Sequence, residues 1–292
     1  MQTLLQGAKK SVTIDTEGAF VIIGEKINPT GRKKMAAALL AGDLEYIRGL
    51  ALGQLAAGAQ VLDVNVGVPG MDDVKLMVDV VNFLNTFVDV PLCLDSSNPE
   101  TLAAGLALAP GKPLVNSVSG EESRLSNVLP VVKDRGAAVI GLLMDDNGVP
   151  ATVDARLVIA DKILERCAKI GIPPEDVVID PLVLTVGSDS NAGKVTLETI
   201  RLVHEKLGLN VNLGASNVSF GMPDRPVINQ AFLAMAQTMG ATCAITDPIK
   251  MAATIRAADL LLGRDEYGMR YIKNYRALQA ILAAQAAEQK PE

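Results

Sequence analysis

The sequence predicts a single-domain α/β fold, a closed (β/α)₈ TIM barrel. The chain has 292 residues, about the size of one such barrel. Hydrophobic residues make up 49% of the chain but aromatic residues only 3%, so the core is aliphatic, as in a parallel sheet covered by helices. Eight short β-branched segments alternate with amphipathic segments, which is the strand count of the barrel.

An open doubly wound sheet is the alternative fold for this alternation of strands and helices. A dinucleotide-binding sheet carries a G-x-G-x-x-G turn directly after its first strand. No such turn follows the first β-branched segment here. The closed barrel is therefore the favoured prediction.

Each of the eight predicted strands is a short apolar run, and all but the fifth reach a polar residue near their end. In chain order they span 20–25, 61–66, 91–96, 113–118, 138–144, 177–182, 211–216 and 242–247.

The segments between these strands have the periodicity of helices, most clearly 43–59 and 226–240. Pro226 suits the first turn of the second of these helices, and Gly240 suits its end. Apolar side chains recur there at helical spacing: Val227, Ile228, Ala231, Phe232, Met235 and Met239.

Three parts of the chain are distinguished by composition. Residues 1–17 precede the first strand and are predicted to be an N-terminal extension, residues 18–285 to be the barrel, and residues 286–292 to be a frayed tail. The N-terminal segment is too polar for a signal peptide, and no apolar run reaches the roughly 18 residues of a membrane span. We therefore expect a soluble, cytoplasmic protein without a membrane partner.

Composition also argues against several functional classes. The net charge of -6 makes nucleic acid an improbable partner. A single histidine excludes a three-histidine zinc site and disfavours a Ser-His-Asp triad, and we expect no metal bound by this chain. Cys93, Cys167 and Cys243 are far apart in apolar runs, which predicts buried free thiols in a reducing compartment.

Polar residues collect at the carboxyl ends of the predicted strands. Strand side chains alternate, so Asp63 and Asn65 share one face while Leu62 and Val64 share the other. The apolar face packs on the helices, and the polar face points into the barrel mouth, where active sites of this fold lie. The strand-end set is Glu25, Asp63, Asn65, Asp95, Asn116, Asp180, Ser216, Asn217 and Asp247.

Each of these residues taken alone has an ordinary explanation as a turn or cap residue. As a set on several strands, they favour a polar ligand with many hydrogen-bonding edges. A phosphate would require basic partners, and a Schiff-base aldolase would require a lysine at an inward strand end, for which Lys26 is the nearest candidate. Carboxylates and amides instead suit a neutral heterocycle rich in N–H groups.

Six motifs resemble the pterin-binding methyltransferases, which include methyltetrahydrofolate:corrinoid methyltransferases and the folate module of cobalamin-dependent methionine synthase. They occur in the family's order between about residues 18 and 265. The motifs are IIGEKINPTGRKK, GAQVLDVNVG, PLCLDSSN, PLVNSVSGE, VVIDPLVL and LGASNVSFGMPDRPVINQAFLAMA.

The resemblance implies a (β/α)₈ barrel with a pterin at its mouth. By correspondence with the family motifs, Asn217 reaches N5 of the pterin and is the expected catalytic residue. The substrate-binding residues carried over from the family are Asp95, Asn116, Asp180, Gly214, Ser216, Asn217, Arg225 and Glu25.

The implied reaction moves a methyl group between N5 of tetrahydrofolate and the cobalt of a corrinoid held by a partner protein, in a direction left open. Relatives are commonly homodimers. Phe220 replaces a Gln found in some free-standing members, which leaves open the corrinoid partner. The alternatives are an enzyme of the dihydropteroate synthase type, whose P-D-S-F-S loop is missing here, and a non-catalytic folate-binding subunit.

Overall fold

The fold is a (β/α)₈ barrel, as predicted; the computed structural model describes residues 1–288. All eight predicted barrel strands are present. Numbered along the chain, the strands are β1 (Gln2–Gln6), β2 (Ser11–Asp15), β3 (Val21–Ile27), β4 (Val61–Asn65), β5 (Leu92–Asp95), β6 (Leu114–Ser119), β7 (Ala138–Leu142), β8 (Val177–Asp180), β9 (Asn210–Val211) and β10 (Cys243–Thr246).

Ten helices follow the strands within the described part of the chain. They are α1 (Lys33–Ala41), α2 (Leu44–Ala56), α3 (Asp73–Leu84), α4 (Pro99–Leu108), α5 (Glu122–Arg135), α6 (Val153–Lys169), α7 (Ala192–Leu202), α8 (Arg225–Thr238), α9 (Pro248–Leu261) and α10 (Met269–Glu288). None of these helices is long and apolar enough to cross a membrane. Residues 289–292 of the predicted tail lie outside the described residues.

The sheet is parallel throughout and runs in the order β10-β3-β4-β5-β6-β7-β8-β9. Two backbone hydrogen bonds join its outer strands, from Thr242 N to Val211 O at 3.0 Å and from Ile245 N to Leu213 O at 2.9 Å. These bonds close the sheet into a barrel, so that all strand carboxyl ends meet at one mouth.

The predicted seventh strand, 211–216, is wrong in its extent. Its ladder pairing covers only Asn210–Val211, and residues Ala215–Ser219 form a 3₁₀ turn instead. The chain leaves the extended conformation at Gly214, whose carbonyl accepts a hydrogen bond from Asn217 N at 3.2 Å. Ser216 and Asn217 therefore lie on a turn at the mouth rather than on a strand.

Side chains alternate across the barrel wall as the sequence predicts. Leu62 and Val64 pack outward against the helices, whereas Val61 belongs to a separate cluster inside the barrel. Cys93 and Cys243 lie in this inner cluster, and all three cysteines are buried and free. An aliphatic core therefore fills the barrel beneath the polar residues of the mouth.

Strands β1 and β2 form an antiparallel hairpin within the segment predicted to be an extension. Leu5 and Ile14 are fully buried against the inner cluster. The Asn210 amide donates to Ile14 O at 2.9 Å, next to the start of β9. The hairpin thus covers the end of the barrel opposite the mouth.

Candidate functional site

A polar cavity of about 370 Å³ occupies the mouth of the barrel. We call it the main cavity. Its volume lies within the usual range of small-molecule sites, roughly 300–1,000 Å³. It is lined by Glu25, Asn28, Thr30, Arg32, Asp63, Asp95, Asn116, Leu142, Asp180, Leu182, Val183, Gly214, Ser216, Asn217 and Ile245.

Neighbouring strands supply the floor of the main cavity. Parallel register places Asn65 of β4 beside Asp95 of β5, and Asp95 beside Asn116 of β6. An irregularity in β6 follows Asn116, and such bulges redirect side chains at strand ends. Asp180 comes from β8 on the other side of the barrel.

An asparagine amide holds each of three buried or half-buried carboxyl groups. Asn116 Nδ2 donates to Asp63 Oδ1 at 3.2 Å, and Asn65 Nδ2 donates to Asp95 Oδ2 at 3.0 Å. Asp180 is held in the same way by the amide of Asn212. Because each carboxyl has a second oxygen or further lone pairs, the cavity retains acceptors for a ligand.

Asp180 has two donors of its own. Its Oδ2 accepts from Asn212 Nδ2 at 2.8 Å, and its Oδ1 accepts from Leu182 N at 2.8 Å. Burial raises the pKa of Asp180 to about 6, although these hydrogen bonds oppose the increase. The group is therefore ionised at neutral pH but sensitive to mild acid.

The other two carboxyl groups are also shifted by their surroundings. Burial, followed by the neighbouring Asp95 carboxyl, raises the pKa of Asp63 well above its ordinary value. Burial likewise raises the pKa of Asp95, against the hydrogen bond from Asn65 and the charge of Arg124. Ligand N–H donors would relieve the cost of these buried acceptors.

The turn that carries Asn217 is braced from behind. Arg225, at the start of α8, donates from Nη2 to Ser216 O at 2.7 Å and from Nε to Ser219 Oγ at 3.1 Å. A Cβ atom on Gly214 would lie 3.1 Å from Asn217 Nδ2, so a side chain there would press on the amide. The exposed Asn217 side chain makes no hydrogen bond to any described residue and is free to serve a ligand.

An ion pair next to the Asn217 turn also lines the main cavity. Arg32 Nη2 lies 2.9 Å from Glu25 Oε1, and Ser216 Oγ donates to Glu25 Oε2 at 3.3 Å. Glu25 lies at an irregularity between Gly24 and Ile27 of β3. Glu25 therefore links the first strand to the Asn217 turn.

The structure brings together all but one of the residues selected from the sequence. Asp95, Asn116, Asp180, Gly214, Ser216, Asn217 and Glu25 line the main cavity. Arg225 lies behind the turn and outside that lining.

Sequence reasoning did not select Asn212, and it noted Asp63 without assigning it to the site. Asp63 could have been found from its shared strand face with Asn65. Asn212 could have been found as a buried amide between Val211 and Leu213 of the predicted strand, because a buried amide needs a partner.

The arrangement suits a flat, polar heterocycle. Three carboxyl groups and an amide converge on the floor, where they can accept from ring N–H and amine groups. A second amide, on Asn217, stands at the open side. Lys26 is not available as a free amine, because its Nζ forms an ion pair with Asp247.

Comparisons with known proteins agree with this geometry. The profile of a family described as pterin binding enzyme matches residues 24–247. The chain is 33% identical over 270 residues to the methylcorrinoid:tetrahydrofolate methyltransferase of Eubacterium limosum, with 88% of this chain and 96% of the relative covered. It is 31% identical over 248 residues to methionine synthase of Mycobacterium tuberculosis, covering 80% of this chain but only 21% of that protein.

Among solved structures, a dihydropteroate synthase of Yersinia pestis in a complex with a sulfonamide drug has a TM-score of 0.70 to this chain. The match covers 90% of this chain and 99% of the other at 17% sequence identity. At this level of identity, the likeness shows a shared fold.

Proposed function

The chain belongs to the family of pterin-binding enzymes, and we propose that it is a methyltransferase acting between N5 of tetrahydrofolate and the cobalt of a corrinoid protein. One observation carries this proposal. Buried carboxyl groups suited to a pterin edge lie on the floor of the main cavity, and an unengaged amide, Asn217, lies at its open side.

In this proposal Asp95, Asn116 and Asp180 hold the pterin. The polar edge of a pterin carries an exocyclic amine, ring N–H groups and a carbonyl. Asp95 and Asp180 accept hydrogen bonds from the N–H groups. The Asn116 amide can either donate or accept a hydrogen bond. Holding this edge at the floor leaves N5 toward the open side.

Asn217 acts on the atom that exchanges the methyl group. When methyltetrahydrofolate is the donor, the bond between N5 and the methyl carbon breaks and its electron pair remains on N5. Cobalt supplies the electron pair of the new bond to carbon. The Asn217 Nδ2–H group donates to N5 as electron density collects there, which stabilises the transition state.

A proton that neutralises N5 comes from water at the open mouth. The only histidine of the chain, His204, lies outside the lining of the main cavity. Microscopic reversibility requires the same contacts to serve the opposite direction. The Eubacterium limosum relative is named for transfer from a methylcorrinoid to tetrahydrofolate, so that direction is the first to assay.

The corrinoid arrives on a separate protein in this proposal. The relative's name, which includes a methylcorrinoid, supports a corrinoid protein as partner. A planar corrin must face N5 across the mouth of the barrel. Phe220, which follows the Asn217 turn, is 67% exposed and lies with its ring centroid 5.7 Å from the Arg225 guanidinium.

We also propose a cytoplasmic homodimer. The three buried, free thiols are consistent with a reducing compartment. An apolar groove of about 630 Å³ runs between α7 and α8, and Val227 and Met235 in it are 58% and 50% exposed. A second copy of the chain covering this groove would remove these side chains from water.

The test of the proposed function is a spectral assay of cobalt. Purified protein is mixed with tetrahydrofolate and a methylated corrinoid protein or methylcobalamin, and loss of the methyl–cobalt absorbance is followed. We expect loss that depends on both tetrahydrofolate and the enzyme. Tight folate binding without any change at cobalt, in either direction of assay, would contradict the proposal and support a binding subunit.

A further inference from the structure

A second cavity, of about 210 Å³, opens beside the main cavity. We call it the side cavity. It lies between the end of β3, the start of α8 and the start of α9. Glu25, Arg32 and Ser216 line both cavities. The two cavities therefore adjoin at these three residues.

The side cavity carries more positive than negative charge. Two of its cations are paired: Lys26 with Asp247, and Arg32 with Glu25 at 2.9 Å. The other two cations are Arg225 and Lys250, and neither forms a salt bridge with any residue in 1–288. The side cavity thus has two uncompensated positive charges in a chain whose net charge is -6.

Arg225 is oriented so that part of its guanidinium remains available. Its Nε and Nη2 donate to Ser219 Oγ and Ser216 O, both neutral acceptors. Its Nη1 makes no hydrogen bond to the described residues. Lys250, in the first turn of α9, has an exposed side chain. These two groups together suit a carboxylate, because a cationic donor makes a stronger hydrogen bond than a neutral one.

The covalent structure of folate indicates which carboxylate of the ligand can reach the side cavity. The p-aminobenzoyl-glutamate tail leaves the pterin from C6, which is bonded directly to N5. With N5 beside Asn217, the tail begins next to Ser216, a wall of both cavities. Turning the tail sideways also keeps the N5 face open to the corrinoid.

We propose that the side cavity binds the glutamate carboxylates of the folate tail, with Arg225 and Lys250 as their cationic partners. This inference rests on the proposed function, because it takes the pterin orientation from it. Additional γ-linked glutamates would extend the same anionic chain, so polyglutamylated folates would bind more tightly than the monoglutamate.

The test compares ligands with and without the tail. Calorimetry measures the affinities of tetrahydrofolate, its triglutamate and 6-methyltetrahydropterin for the wild-type protein, Lys250→Gln and Lys206→Gln. Lys206 is an exposed lysine on the turn after α7, outside both cavities. The Lys206→Gln variant therefore serves as a control that removes the same charge elsewhere. We expect Lys250→Gln to weaken tetrahydrofolate binding about fivefold, as for a partly exposed ion pair, and to leave tailless pterin binding unchanged.

The possible results distinguish failure of the side-cavity assignment from failure of the proposed function. Equal wild-type affinity for tetrahydrofolate and 6-methyltetrahydropterin, or an equal loss for both in Lys250→Gln, would overturn the side-cavity assignment alone. So would a Lys250→Gln variant that changes only the KM for the corrinoid protein, since that result would assign the charge to a corrinoid phosphate. Failure of the wild type to bind either pterin would instead overturn the proposed function.

Discussion

Asp180 shows how one buried carboxyl can set the response of the whole site to pH. Its two hydrogen-bond donors, Asn212 and Leu182, fix its orientation, while burial raises its pKa to about 6. In the proposed complex it accepts from pterin N–H groups, which favours its ionised form. Ligand binding should therefore lower this pKa and become linked to proton release.

We predict that the affinity for 6-methyltetrahydropterin increases as pH rises through about 6, the pKa of Asp180 in the free protein. The Asp180→Asn variant should bind more weakly and lose this step, because its amide does not ionise. Calorimetry at pH values on both sides of the step measures both effects. An unchanged pH profile in Asp180→Asn would remove Asp180 from the pterin contact.

The same group affects stability in the opposite sense. Its folded pKa of about 6 exceeds the ordinary value of 3.8, so between these values the native state binds more protons than the unfolded state. The Asp180 contribution to stability therefore decreases as pH rises through this window. Better ligand binding and lower stability of the free protein thus have a common cause.

At the residue scale, the sequence predicted the direction in which side chains point better than it predicted their hydrogen-bond partners. Strand alternation is sufficient to aim Asp95 and Asn116 at the mouth, because a side chain's face follows from its register. The sequence could not show that Asn65 and Asn212 hold carboxyl groups on other strands, since those pairs depend on which strands become neighbours.

At the scale of elements, a buried arginine shapes one wall of the main cavity. Arg156 of α6 is 1% exposed and donates to Pro150 O at 3.0 Å and Pro181 O at 2.7 Å. The Pro181 carbonyl directly precedes Leu182, which adopts a positive φ of 59°, unfavourable for a bulky side chain. Arg156 therefore holds a strained turn that lines the cavity.

We predict that Arg156→Lys both destabilises the protein and weakens pterin binding. Lysine lacks the planar fork of arginine and leaves at least one buried carbonyl without its donor, at a cost of about 1–3 kcal/mol. Denaturant unfolding and pterin calorimetry measure the two effects. Arg166→Lys, on the same helix but in a surface ion pair with Glu122, is the control. Normal pterin affinity in Arg156→Lys would show that the turn holds its shape unaided.

Element boundaries reveal what local patterns miss. The eight barrel strands were predicted because β-branched runs are a strong local signal. The hairpin β1–β2 was missed because half of its side chains face water, which hides its apolar pair, Leu5 and Ile14, in a polar segment. The early end of β9 depends on Gly214 turning the backbone, which apolar periodicity does not report.

On the scale of the whole molecule, the apolar stripe of α8 is only partly buried by the chain itself, although its helical periodicity alone suggests a single core-facing stripe. Helical spacing alone made Val227, Ala231 and Met235 part of one stripe with Phe232. In the fold Phe232 is buried, whereas Val227 and Met235 remain exposed in the groove between α7 and α8. Periodicity identifies a stripe but not whether the same chain covers it.

We predict that this groove is the contact between two copies of the chain. Sedimentation velocity should give a dimer for the wild type and a monomer for Met235→Lys, because a lysine ammonium cannot be buried there without a partner. Leu261→Lys, at an 87% exposed position outside the groove, should remain a dimer. A monomeric wild type at micromolar concentration, or a dimeric Met235→Lys, would refute this assembly.

Methyl transfer engages the whole molecule, since the barrel must hold a pterin while its mouth receives a corrinoid. Asn217 is the residue at which the two meet in our account, and its side chain has no competing hydrogen bond among the described residues. Removing it tests the mechanism more directly than removing a residue of the floor, because the floor acts through pterin affinity.

The decisive measurement is the single-turnover rate of methyl transfer by Asn217→Ala, taken together with its folate affinity. We predict a rate about 10²–10³-fold below that of the wild type, typical of a lost transition-state donor, with folate affinity changed far less. A variant that transfers the methyl group at the wild-type rate, or that loses rate and affinity in equal measure, would contradict the account.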